Sequence, residues 1–158
     1  MNLAGKDLKE YFDVMKIPLL VNFAISLLGL GLSAVSAVLG IVTGPVGVCL
    51  GAVTGLGLTI VSLVVGIVSA LYVGSVMAKN RKATLVQAAV AGALFGLLIG
   101  VFGAILNLAG SVINVASAVG TLGLSILIAV AGLFIGPLLA VILGCVCGAI
   151  GGALAGAK

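Results

Sequence analysis

Apolar residues run along this chain in two long stretches, 17–78 and 83–157, and neither holds a charged side chain. About 20 apolar residues cross a hydrocarbon core of roughly 30 Å, so each stretch has the length for more than one crossing. Lipid offers no partner for backbone N–H and C=O groups, which favours helices that satisfy their own. The pattern therefore predicts an all-α fold, a polytopic transmembrane helical bundle. In the first stretch Thr43-Gly44-Pro45-Val46-Gly47 combines a residue without a donor and residues of permissive backbone, the chemistry of a tight turn. It divides 17–78 into a hairpin. The second stretch has weaker breakers. If Asn107-Leu108-Ala109-Gly110-Ser111 turns and Gly136-Pro137 opens a last helix, with proline at its first position, the region holds three helices and the chain five spans. This reading suits the breakers slightly better. The alternative of four spans bends at Gly120-Thr121-Leu122-Gly123 and leaves Gly136-Pro137 as a kink.

The charges fall outside these stretches, and their positions predict orientation. Lys6, Asp7, Lys9, Glu10, Asp13 and Lys16 lie at the front, Lys79, Arg81 and Lys82 in the middle and Lys158 at the end. Basic residues in short loops stay cytoplasmic. The front and the 79–82 loop then share a side, which requires an even number of crossings between them. Lys158 lies outside in the five-span layout and inside in the four-span one. Residues 1–16 read as an amphipathic helix lying in the interface, with Leu8, Tyr11, Phe12 and Met15 on one face. Lys6 with Glu10 and Lys9 with Asp13 are spaced for pairing. Apolar sequence continues past this segment without a polar mature domain, unlike a cleavable signal.

Glycine spacing is the strongest local pattern. Gly47, Gly51 and Gly55 form one series, Gly92, Gly96 and Gly100 a second, and Gly144, Gly148, Gly152 and Gly156 a third. Small residues four apart let helix backbones approach where lipid supplies no hydrophobic drive. These series predict glycine-zipper packing, the third between subunits.

Composition narrows the function. Charged residues make up 6% of the 158 and hydrophobic ones 63%, and histidine is absent. Serine and cysteine nucleophiles lack a base, so no catalytic residue is assigned and an enzyme is not expected. Cys145 and Cys147 would point about 200° apart on a helix, a geometry that holds no common metal. With Cys49 they read as buried thiols, a Cys49 to Cys145 bridge or lipidation being the alternatives. No metal or cofactor site is expected. The glycine-rich runs lack the Lys-Ser/Thr of a phosphate loop. The net charge of +4 is too small and local for specific nucleic-acid binding.

Among the carboxamides, Asn22 and Gln87 are close enough to basic residues to sit near head groups. Asn107 and Asn114 lie two turns apart and form a candidate polar seam. Hydroxyls at Ser26, Ser33, Ser36, Thr54, Thr59, Ser62 and Ser69 can bond back to a carbonyl one turn earlier and need no ligand.

In size, glycine grooves and hairpins the chain resembles the proteolipid ring subunits of rotary ATPases, but it has no acidic residue within either apolar stretch to hold an ion. Its layout of short apolar, glycine-rich helices around a small basic loop is similar to conjugation pilins and to coat proteins of spindle-shaped viruses. That similarity covers composition and layout and assigns no residue. The expected role is a non-enzymatic structural protein of the cell membrane or a membrane-derived particle. It would self-associate in the lipid bilayer as a homo-oligomer or with a membrane-protein partner. A channel or transporter component for small neutral solutes or ions is the alternative.

Overall fold

The structure, a computed structural model, describes residues 2–115 and 122–158. Two short antiparallel strands, β1 (Asn2–Leu3) and β2 (Lys6–Asp7), precede four helices: α1 (Leu8–Thr43), α2 (Pro45–Arg81), α3 (Leu85–Val115) and α4 (Leu122–Leu154). All four helices are long and apolar enough to cross a membrane.

The first hairpin turns on Gly44. Its φ of 62° is a conformation glycine adopts without strain, and Pro45 opens α2, where a missing N–H costs nothing. The expected later breakers do not act as such. Residues 107–111 continue α3, and Gly136-Pro137 lies inside α4, so the five-helix layout gives way to four helices among the described residues. The long apolar environment around them favours unbroken helix over a few polar side chains, and proline within a membrane helix is tolerated. Of the alternative bend, Gly120 and Thr121 lie outside the described residues, whereas Leu122 and Gly123 begin α4.

The N-terminal expectation is also revised. Residues 2–7 form a hairpin whose turn residues Ala4 and Gly5 both have positive φ, and α1 runs without interruption from Leu8 through Pro18 into the apolar stretch. Tyr11 and Met15 are fully buried, while Phe12 is exposed. Helical periodicity correctly puts Tyr11 and Met15 on one face, but that face meets protein. They join Ala70, Val73, Met77, Ala83, Ala91 and Phe95 in a core at the charged end of the bundle.

Polar contacts close this end. Tyr11 donates its hydroxyl to the Leu3 carbonyl at 3.1 Å, and Lys6 Nζ donates to the Arg81 carbonyl at 2.7 Å. Lys6 pairs with Glu10 at 3.5 Å, whereas Asp13 pairs with Lys16 and Arg81 rather than Lys9. Thr84 and Gln87 form a reciprocal cap on α3: Gln87 Oε1 accepts from the Thr84 N–H at 3.0 Å, and the Gln87 N–H donates to Thr84 Oγ1 at 3.4 Å. The remaining amide of Gln87 donates to the Ala4 carbonyl at 2.8 Å, and the Leu85 N–H donates to the Lys158 carbonyl at 3.1 Å. The N-terminal hairpin, the α2–α3 link and the C-terminus therefore meet at one end.

Candidate functional site

Two features of the bundle are built for more than filling space: the close helix contacts of α3 and α4, and a cavity beside them. Gly92, Gly96 and Gly100 face α4 so closely that a side chain cannot begin at any of them. A methyl at Gly92 would fall on the Gly144 carbonyl, one at Gly96 on the Ala140 carbonyl, and one at Gly100 within 2.6 Å of Pro137 Cα. From the other side, a Cβ on Gly148 would lie 2.8 Å from Gly92 Cα. Gly144 meets Gly92, and Gly152 meets Ala88.

The second and third glycine series thus face each other within one chain. Spacing alone predicts a contact between subunits for the third series, because it identifies a smooth face without identifying its partner; in the structure Gly144, Gly148 and Gly152 meet α3 of the same chain. Gly74 and Gly151, which the spacing argument missed, extend the close approach between α2 and α4: their side-chain positions fall on the carbonyls of Gly148 and Leu71. Gly156 departs from its series. It lies beyond the helix at φ 84°, and the bonds Ala157 N–H to Gly152 O and Gly156 N–H to Ala153 O form a glycine C-terminal cap. Of the first series, Gly55 has nothing within 4 Å of its side-chain position. Gly47 and Gly51 lie on α2, and their surroundings fall outside what the structure describes.

The basic residues Lys79, Arg81 and Lys82 are exposed around the end of α2, where Lys82 takes a left-handed conformation as the helix cap. Arg81 reaches Asp13 at 3.8 Å.

The cavity has a volume of about 700 Å³ and is bordered by all four helices. Ser26 and Ser33 of α1, Thr59 and Ser62 of α2 and Asn107 of α3 supply its polar lining; the rest is glycine, alanine and larger apolar side chains. No charged residue lines it among the described residues. Toward the charged end of the bundle it reaches Ala70, Phe95 and Cys147, of which Ala70 and Phe95 belong to the core. The hydroxyls of Ser33 and Thr59 donate to the Gly29 and Gly55 carbonyls, as their spacing predicts. Asn107 contributes to this lining, and Asn114 lies on the same helix with its side chain outside the described portion.

Other polar positions are structural. Asn22 is buried within the protein: its Nδ2 donates to Ser69 Oγ and to the Pro18 carbonyl, each at 2.9 Å, and so ties α1 to α2. Cys49 is exposed, Cys145 and Cys147 are partly buried, and all three are free thiols. Comparisons with protein-family models, curated proteins and solved structures find no match to the chain.

Proposed function

We propose that this chain is a non-enzymatic integral membrane protein with four spans that works as a structural subunit, self-associating through α1. One observation carries the reading. Ile17, Val21, Ala24, Leu28, Gly31, Val35, Val38 and Val42 alternate at intervals of four and three along α1, and all are exposed. This is the spacing of a helix–helix seam. Its centre is the small residue Gly31, with open space above it, flanked by the shallow groove of Ala24, Leu27, Leu28, Leu32 and Val35. Small residues at such a seam allow the close backbone approach that stabilises helix pairs in lipid. The subunit contact is therefore proposed on α1 instead of the C-terminal glycine series, whose face is occupied within the chain.

The charged end, which gathers Lys6, Arg81 and Lys158, is assigned to the cytoplasm by its basic residues. Reporter fusions before Lys6, at Asn80 and after Lys158 should all read cytoplasmic; a C-terminal fusion on the opposite side would refute four spans. For assembly, Gly31→Leu is the decisive variant, because Gly31 has room for a side chain within its own subunit. It should insert and fold normally yet elute from sizing as a smaller species. Gly57→Leu, equally open but on α2, should elute like the parent. Equal elution of all three proteins would refute the α1 contact.

A second reading, passage of small neutral solutes, draws on the cavity and Asn107. The lining is uncharged, which suits neutral molecules better than selected ions.

A further inference from the structure

The apolar surface of this bundle is longer than an ordinary bilayer core is thick. Residues 17–43 of α1 and 45–78 of α2 carry no charge, and at 1.5 Å per residue they measure about 40 and about 51 Å. α3 and α4, with 31 and 33 residues, measure about 46 and about 50 Å. A typical hydrocarbon core is roughly 30 Å thick. Tilt absorbs only part of the excess. Membrane helices lean by about 20° on average and up to about 40°, whereas the shortest of these segments needs about 41° to fit, and α2 more than about 50°.

Both ends of the first hairpin have chemistry that keeps them out of hydrocarbon. At the charged end Asp13 pairs with Lys16 and with Arg81, so the near boundary lies beside Ile17 and Ala78. At the far end the Gly44 N–H takes the Gly40 carbonyl, but Pro45 has no N–H to offer the next one. Backbone carbonyls left in this way are costly in hydrocarbon, so the turn has to reach head groups or water. The exposed surface stays apolar all the way to it. A core of roughly 30 Å that began at Ile17 would end near Ser36, leaving the exposed Val38, Ile41 and Val42 of α1 and Val46, Val53 and Leu56 of α2 at or beyond its edge. Hydroxyls at these levels are no obstacle to lipid. Thr43 and Thr59 donate to the Leu39 and Gly55 carbonyls, each at 2.8 Å, within their own helices.

We propose that the protein is fitted to a bilayer of long acyl chains, with a hydrocarbon core of about 38 Å, the length of the α1 segment at the average lean. The proposal rests on the four-span reading and adds the kind of membrane those spans require. A thinner bilayer leaves the distal valines and isoleucine in head groups or water, or must itself thicken around the protein, at a cost that grows with each ångström of mismatch.

The test places the full chain in phosphatidylcholine vesicles whose two acyl chains are both myristoleoyl, oleoyl, erucoyl or nervonoyl, in order of increasing length. The thermal midpoint should rise along the series and peak in erucoyl or nervonoyl bilayers. Val46→Cys, Val53→Cys and Leu56→Cys, each made with Cys49, Cys145 and Cys147 replaced by alanine, then locate the far boundary on α2, away from the proposed α1 contact. With a water-soluble maleimide on both sides, cysteines at 53 and 56 should react at least tenfold more slowly than one at 46 in nervonoyl bilayers, and within about threefold of it in myristoleoyl bilayers. A midpoint that peaks in oleoyl or myristoleoyl bilayers would overturn the proposal. So would slow reaction at 53 and 56 in every lipid, which means that protein covers them, or fast reaction there in every lipid, which means that they project from the membrane. If the cysteine variants do not fold, the midpoint profile of the parent decides. A C-terminal fusion on the opposite side refutes the four spans, whereas an oleoyl peak with that fusion cytoplasmic refutes the thickness alone.

Discussion

Gly96 on α3 and Gly57 on α2 are the same residue in helices of similar composition, yet one lies against a backbone carbonyl of α4 and the other faces open space. The contrast runs mainly between the two hairpins, the exceptions being Gly74 of α2, tight against Gly148, and Gly103, Gly132 and Gly136 of α3 and α4, which are open. α3 and α4 approach along Gly92, Gly96, Gly100, Gly144 and Gly148, with no room for a side chain. On the α1–α2 side, Gly29, Gly31, Gly55, Gly57 and Gly66 have none of these close neighbours. Burial divides the bundle by end and not by hairpin: the large residues Tyr11, Met15, Val73, Met77 and Phe95 are buried at the charged end, whereas Leu27, Leu28, Val35 and Val38 farther along α1 are exposed. Glycine therefore marks a tight contact only where another helix comes into register with it. Elsewhere it leaves open space beside its helix.

The largest effect should come from filling the tight side. Gly96→Leu or Gly148→Leu forces apart backbones that already touch, an overpacking that costs about 1–3 kcal/mol in ordinary cores and more where backbone must move. Both should lower the thermal midpoint sharply and reduce the amount of folded protein recovered. Gly57→Leu should leave both quantities near the parent's. Comparable losses in all three variants would erase the distinction between the hairpins.

Smaller effects should come from the polar ties. Asn22→Leu removes the bond to Ser69 that joins α1 to α2; interhelical hydrogen bonds in membranes contribute about 0.6 kcal/mol on average and up to about 1.7. A reversible unfolding titration should report a loss in that range, reduced in the Ser69→Ala background. Tyr11→Phe keeps the buried ring but loses the bond to Leu3 and should cost about 1 kcal/mol. Its effect should concentrate in protease sensitivity of residues 2–7. The smallest change belongs to Arg81→Gln. Its 3.8 Å pairing with Asp13 is partly exposed, and such pairs contribute about 0–1 kcal/mol, so the unfolding midpoint should hardly move.

The parts of this molecule that could be read from sequence are those fixed by local chemistry. Gly44 and Pro45 announce their turn because one supplies the positive φ and the other a helix start without a donor. Ser33 and Thr59 bond back along their own helix, as short hydroxyl side chains do. Partners are harder to read, because they depend on register between distant segments. Tyr11 and Met15 share a face, but nothing local says that this face meets the core instead of lipid. The C-terminal glycines form a groove, but only the fold brings Gly148 beside Gly92. Asn107 looked like part of a turn because polar residues punctuate soluble chains, whereas α3 continues through it. The Ala4-Gly5 turn was the signal for the N-terminal hairpin, a weak one beside the helical periodicity that follows. The cavity had no motif to announce it, since its lining is contributed by four separated segments.

The central claim, that α3 and α4 are closed on each other while α1 offers the subunit contact, is tested most directly by disulfide scanning in native membranes. With Cys49, Cys145 and Cys147 replaced by alanine, single cysteines are placed in turn at residues 24–35, and at 148 as the comparison site. Crosslinking between copies should peak at positions 24, 28, 31 and 35, fall at the cavity-facing positions 26, 30 and 33, and be absent at 148. A flat, low profile along α1 together with strong crosslinking between copies at 148 would contradict the account.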